Sequence, residues 1–167
     1  MNIFILDGNP RLAAEYHCDK HVVKMILESA QLLSTAHSIH GTPVSPSLYK
    51  PTHINHPCSK WVRESESNYK WLYRLFEFLL TEYTARYNKY HACERLRPFL
   101  SHTYTMELID PSFSINIGEC TTPALAMPDE YKTDNCVESY RNYYKSKEKK
   151  MSMTWKTKTP EWFKTYA

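Results

Sequence analysis

Two long stretches of the chain place apolar residues at intervals of three and four, and these define the expected architecture. From Cys18 to Thr35, apolar Val22, Val23, Met25, Ile26, Leu32 and Leu33 flank a narrow polar line of His17, His21, Lys24, Glu28 and Gln31. Steps of four, three, four and three residues bring all five polar side chains onto one face. They belong to a first helix running from about Arg11 to about His37, with a break near Cys18. The second stretch runs from near Pro57 to about Tyr90 and carries Val62, Tyr69, Tyr73, Phe76, Leu80, Tyr83 and Tyr87 as one stripe. Trp61, Asn68, Leu72, Leu75 and Leu79 lie beside it. Asn55 or His56 is its expected N-cap, with Pro57 in the first turn, where a missing N–H does no harm.

Between and beyond these helices the pattern weakens. Met1 to Leu6 is a short apolar run, a strand or a buried arm, and Asp7-Gly8-Asn9-Pro10 is a turn. A short helix reaches Leu96 and Pro98 ends it. Residues 98–133 form loops broken by Pro111, Pro123 and Pro128. A last helix spans about Asn135 to Lys150, capped by Asp134 or Asn135. The expected fold is mainly α: a compact single-domain bundle of about three main helices with long proline-containing loops, residues 1–167, ending in a basic aromatic arm, 151–167.

Composition narrows the function. Apolar residues make up 42% of the 167, aromatics 14%, which suits one globular domain with a real core. Three glycines argue against a phosphate-binding glycine loop or a many-turned β sandwich. Five cysteines without a CxxC pair read as reduced thiols. The apolar start is too short, and lacks the basic flank, for a signal peptide, and no membrane span is visible, so the expected location is the cytoplasm.

Charge is unevenly placed. From residue 140 onward eight Lys or Arg face two Glu, giving +6, so residues 1–139 carry −3 of the net +3. With Trp155, Trp162, Phe163 and several tyrosines, that segment suits a nucleic-acid backbone and stacked bases. Within it, Arg141, Asn142 and Lys145 on the last helix, and Trp162 and Lys164 in the arm, are candidate DNA contacts.

Two further groups carry candidate chemistry. Thr52-His53-Ile54-Asn55-His56-Pro57 precedes a helix N-terminus, where free N–H groups favour an anion, so Asn55 and His56 are candidates for a phosphate or a base edge. His17-x3-His21 and His53-x2-His56, with Cys18 and Cys58, supply zinc-type ligands but no paired motif, so no metal is expected. On the polar line, Glu28 in a cleft is a general acid/base and Lys24 a phosphate anchor; exposed, the two form an ordinary surface pair.

The stretches HCDKHVVKMILESAQLL, INHPCSKWVRESESNYKWLYRLFEFL and SYRNYYKSK resemble, in this order, a viral and bacterial pyrimidine dimer DNA glycosylase/endonuclease V-like family. The most specific parts are NHP-x3-W (Asn55, His56, Pro57, Trp61), the DK-x3-K-x3-E-x2-Q helix and the SYRN helix. The ending PEWFKTYA is similar to the aromatic, basic ending of phage members. The resemblance implies a three-helix bundle with long loops and no metal or cofactor. It also implies nucleotide flipping, an N-terminal α-amine that attacks the sugar C1′ to give a Schiff base, and a first-helix Glu that assists. An α-amine, with an ordinary pKa of about 7.7–8, is partly neutral at working pH.

This chain departs from that pattern at two places. The amine belongs to Met1, because Asn2 is bulkier than residues that permit removal of the first Met. Where phage members carry the Glu, this chain has His21 or a neighbour, and the nearest carboxylate is Glu28, about two turns on. The expected activity is therefore an N-glycosylase, with abasic-site lyase action, on damaged or modified pyrimidines in double-stranded DNA. Glu28, His21, Lys24 and Met1 are its catalytic candidates. His17, Gln31, Asn55, His56, Arg141, Asn142, Lys145, Trp162 and Lys164 are its DNA contacts. DNA is the expected partner, with no membrane and a monomeric chain. The competing readings are a non-catalytic DNA-binding protein on the same scaffold and a nucleotide-modifying or metal-dependent hydrolase using the histidines.

Overall fold

A computed structural model describes residues 1–43 and 45–164; Thr165, Tyr166 and Ala167 of the expected arm, and Val44, lie outside the described residues. The described residues form six α-helices joined by loops and short 3-10 turns, with a single isolated bridge, His102 to Leu108, in place of any strand. The mainly helical expectation holds. No described helix is long and apolar enough to cross a membrane.

The first expected helix is two. α1 (Pro10–Tyr16) starts from Asn9, whose side chain accepts the Arg11 N–H. α2 (Asp19–Ile39) follows an extended His17-Cys18 link. A break frees carbonyls that must find donors, and here they find them. Arg86 donates to the carbonyls of Glu15 and His17, and Trp155 Nε1 to that of Tyr16. The buried Arg86 is in turn paired with Asp19 and Glu82.

The second expected helix is also broken. α3 (Pro57–Glu64) and α4 (Glu66–Tyr87) meet at Ser65, an extended residue whose hydroxyl accepts the Asn68 N–H and restarts the helix. His56, rather than Asn55, caps α3. Pro98 does not end a helix: it occupies the first turn of α5 (Arg97–Leu100), where proline costs no hydrogen bond. α6 (Cys136–Ser146) is capped by Asn135 and runs on through a 3-10 turn, Lys147–Lys149.

One continuous core joins α2, α4, α6 and the N-terminal arm. Ile3, Phe4, Ile5 and Leu6 are all buried in it, so the apolar start is an arm threaded through the bundle rather than a strand. Tyr140 and Tyr144 of α6, both fully buried, close over that arm. The arm determines what the face of α2 can present.

Candidate active site at the N-terminal segment

Threading the arm beside α2 brings the start of the chain to Glu28. The Asn2 N–H donates to Glu28 Oε2 at 2.9 Å, and Lys24 Nζ lies 3.6 Å from Oε1. The Glu28 side chain is 13% exposed and that of Lys24 65%. One oxygen of the carboxylate is thus held by the arm while the other faces an exposed ammonium. The Met1 residue is half-buried beside them.

α3 supplies the other wall. His56 Nδ1 accepts the Cys58 N–H at 3.1 Å, so the neutral ring carries its proton on Nε2, away from the helix. Burial lowers the His56 pKa; the Met1 amine and His53 push in the same direction, and Glu28 opposes them. The Cys58 thiol is buried, with a raised pKa that desolvation dominates. Glu28 accepts the Asn2 N–H, Cys58 Sγ lies 3.5 Å from Asn2 Oδ1, and His56 accepts the Cys58 N–H, which places these residues and the adjoining Met1 in one neighbourhood.

His17 and His21 serve the interior. His17 is the C-cap of α1, not a member of α2, and its Nδ1 lies 2.6 Å from the Ala13 carbonyl. Full burial drops its pKa to about 4. His21 stacks on Phe4, with ring centroids 5.1 Å apart, and its Nδ1 meets the Tyr144 hydroxyl at 2.9 Å. Burial, helped by the charges of His17, Lys147 and Lys24, takes its pKa to about 3. At neutral pH both rings are uncharged. The arm explains this: Phe4 covers the N-terminal half of the polar stripe and leaves Lys24, Glu28 and half-buried Gln31 beyond it.

The other candidates are spread. Asn55 is exposed at the mouth of α3. Arg141 is engaged at the opposite end of the arm, donating to the Leu6 carbonyl and pairing with Asp7, its guanidinium over the Tyr16 and Trp162 rings. It does not converge with Glu28. Asn142 is half-buried and Lys145 exposed. The arm after α6 is not free either: Trp155 and Trp162 pack on Phe163, and Trp162 also meets Tyr16 and Tyr144. These rings pack on the bundle and on one another, and Trp155 and Trp162 stay half-buried. Lys164 and Lys158 share Glu161.

Several residues of the site carry no local sequence signal. Asn2, Cys58 and Tyr140 come together across separations of 56 and 138 residues. Lys147, whose ammonium lies over the Phe4 and Tyr143 rings, joins Lys24 at the edge of His21 and extends the cationic surface from α2 to α6. Sequence reasoning counted Lys147 in the charge alone. Among the described residues, no three His, Cys, Asp or Glu side chains are grouped to hold a metal ion.

No curated protein and no solved structure matches the chain. A family model described as pyrimidine dimer DNA glycosylase matches residues 1–95. That span covers more than half of the 167 residues and includes Met1, Lys24, Glu28 and His56. The chain belongs to the pyrimidine dimer DNA glycosylase family, whose substrate is DNA.

Proposed function

We propose that the protein releases damaged or modified pyrimidines from double-stranded DNA and cleaves the resulting abasic site, with the Met1 α-amine as nucleophile and Glu28 as general acid/base. The observation that carries this reading is the Asn2 N–H to Glu28 Oε2 hydrogen bond at 2.9 Å. It fixes the first residue one peptide unit from the only carboxylate of the polar stripe.

The chemistry follows from that pairing. The neutral amine adds to C1′ as the glycosidic bond breaks, and the base leaves with the electron pair and takes up a proton. Opening of the C1′–O4′ bond, with O4′ taking the amine's proton, gives the imine. Glu28 then removes a C2′ proton, the C3′–O bond breaks, the phosphate departs, and water releases the sugar from the amine. Lys24 and Lys147 neutralise flanking phosphates. The outward N–H of His56 donates to a phosphate oxygen or to the leaving base. His17 and His21, neutral and packed, hold the arm in place. Lys24, exposed and paired with Glu28, has the surroundings of a phosphate anchor rather than of a nucleophile.

The test is a panel of duplexes carrying pyrimidine dimers and other damaged or modified pyrimidines, assayed for free base and strand breaks. The reading predicts both products from at least one duplex. Base release without strand breaks points to a water-using monofunctional glycosylase, and tight binding with neither product to a DNA-binding protein.

A further inference from the structure

The side chain of Asn2 is the most constrained polar group at the site, and the reaction above gives it no role. Its Nδ2 donates to the Ala126 carbonyl at 2.9 Å. Its Oδ1 accepts the Ile3 N–H at 2.8 Å and lies 3.5 Å from the Cys58 sulfur and 3.3 Å from the Tyr140 oxygen. Tyr140 spends its single proton on the Ala124 carbonyl at 2.6 Å and so braces the 124–126 segment that holds Asn2. One residue therefore ties the arm to α2 through its backbone, and to α3 and the 124–126 loop through its side chain, with Tyr140 of α6 bracing that loop. The burial of Ile3 to Leu6 anchors the arm from the other side.

A main-chain anchor alone needs no such network; the Asn2 backbone N–H and the apolar arm already supply one. What the side chain adds is orientation about the Asn2 backbone, and that rotation sets the direction of Met1. We propose that Asn2 is a positioning residue whose clamped carboxamide aims the Met1 amine across Glu28. The inference rests on the reading of Met1 as nucleophile and deepens it. A misplacement of about 1 Å in a reacting group can reduce a rate about 100-fold. The expected effect of loosening the clamp is thus on the chemical step and not on DNA binding.

Two substitutions test this, both bulky enough to keep Met1, with its retention to be checked by intact mass. Asn2→Leu removes the clamp. Asn2→Asp keeps the acceptor but removes the donor to Ala126 and places a carboxylate beside the amine, among Glu28 and Lys24 of α2, His56 and Cys58 of α3 and Tyr140 of α6. Single-turnover borohydride trapping on an abasic duplex is measured across pH, with DNA affinity and melting temperature alongside. Asn2→Leu is expected to slow trapping by about 10- to 100-fold, with affinity within about twofold of the parent. Asn2→Asp is expected to move the half-maximal pH of trapping upward, since a neighbouring negative charge favours the protonated amine. A purely structural role would lower the melting temperature and leave the plateau trapping rate of the folded protein unchanged. Should Asn2→Leu fail to fold, the plateau trapping rate of Asn2→Asp, which also lacks the donor to the Ala126 carbonyl, decides. Trapping by the parent with an unchanged plateau rate in the folded variant overturns the positioning role and leaves Met1 standing, whereas an unshifted profile in Asn2→Asp overturns Met1 as the trapped amine and the positioning role with it. No trapping by the parent overturns both.

Discussion

Asp19 joins the start of α2 to the segment after α6, and replacing it with alanine should show how far α2 depends on that junction. Its carboxylate accepts Thr154 Oγ1 at 3.1 Å, the Lys156 N–H at 2.9 Å and Arg86 Nη1 at 3.2 Å. Hydrogen bonds to a charged acceptor contribute about 1.5–3 kcal/mol each. Arg86 is fully buried but keeps Glu82 at 2.8 Å and two carbonyls, so its loss is partly offset. Asp19→Ala should therefore destabilise the fold by about 3–5 kcal/mol, a large share of an ordinary 5–15. For a chain of this size that lowers the melting temperature by roughly 6–20 °C. Urea unfolding followed by tryptophan fluorescence reads the change, with Trp155 and Trp162 reporting on the junction. In a chain ending at residue 150 the same substitution should cost less, because Thr154 and Lys156 are gone. A full-length loss below about 1 kcal/mol, or equal losses in both chains, would refute the reasoning.

Other expectations follow from the same geometry. Glu28→Gln should reduce strand cleavage by about 10²- to 10⁴-fold with DNA affinity nearly unchanged, measured by single-turnover gel assay. DNA affinity should fall steeply with salt, and Lys24→Ala should flatten the log–log slope by about 0.9, read by fluorescence anisotropy from 50 to 200 mM salt, if Lys24 meets a phosphate. Folding stability should fall with acid. The folded pKa values of His17 and His21, about 4 and about 3, lie below the unfolded value of 6.5, so their contribution is complete above pH 6.5 and is lost as pH falls towards 4 and 3. Each histidine contributes a slope of up to about 1.4 kcal/mol per pH unit in that window, and His21→Phe should remove one share from urea titrations at pH 7 and pH 5.

The helices were legible because they rest on local spacing, and the polar stripe of α2 identified Lys24 and Glu28 as neighbours on one face. Spacing could not show that Phe4 would cover the first part of that stripe. Thus His17 and His21, read as catalytic or DNA-facing, are neutral interior groups, while Glu28 keeps its access. Ser65 carried the signature of a cap, but the apolar pattern continued across it and masked the break. Pro98 was read as a stop when the same residue fits a helix start. Arg141 looked like a phosphate ligand from its basic surroundings. Only the fold reveals that the Leu6 carbonyl and Asp7 already occupy it.

The central claim is that the amine of Met1, one residue from the Asn2–Glu28 hydrogen bond, attacks the sugar. Borohydride reduction of the protein on an abasic duplex, followed by peptide mapping of the adduct, tests it most directly. The account predicts one adduct, on the N-terminal peptide at Met1, which survives Lys24→Ala and disappears on N-terminal acetylation. An adduct on Lys24, or strand cleavage with no adduct at all, would contradict it.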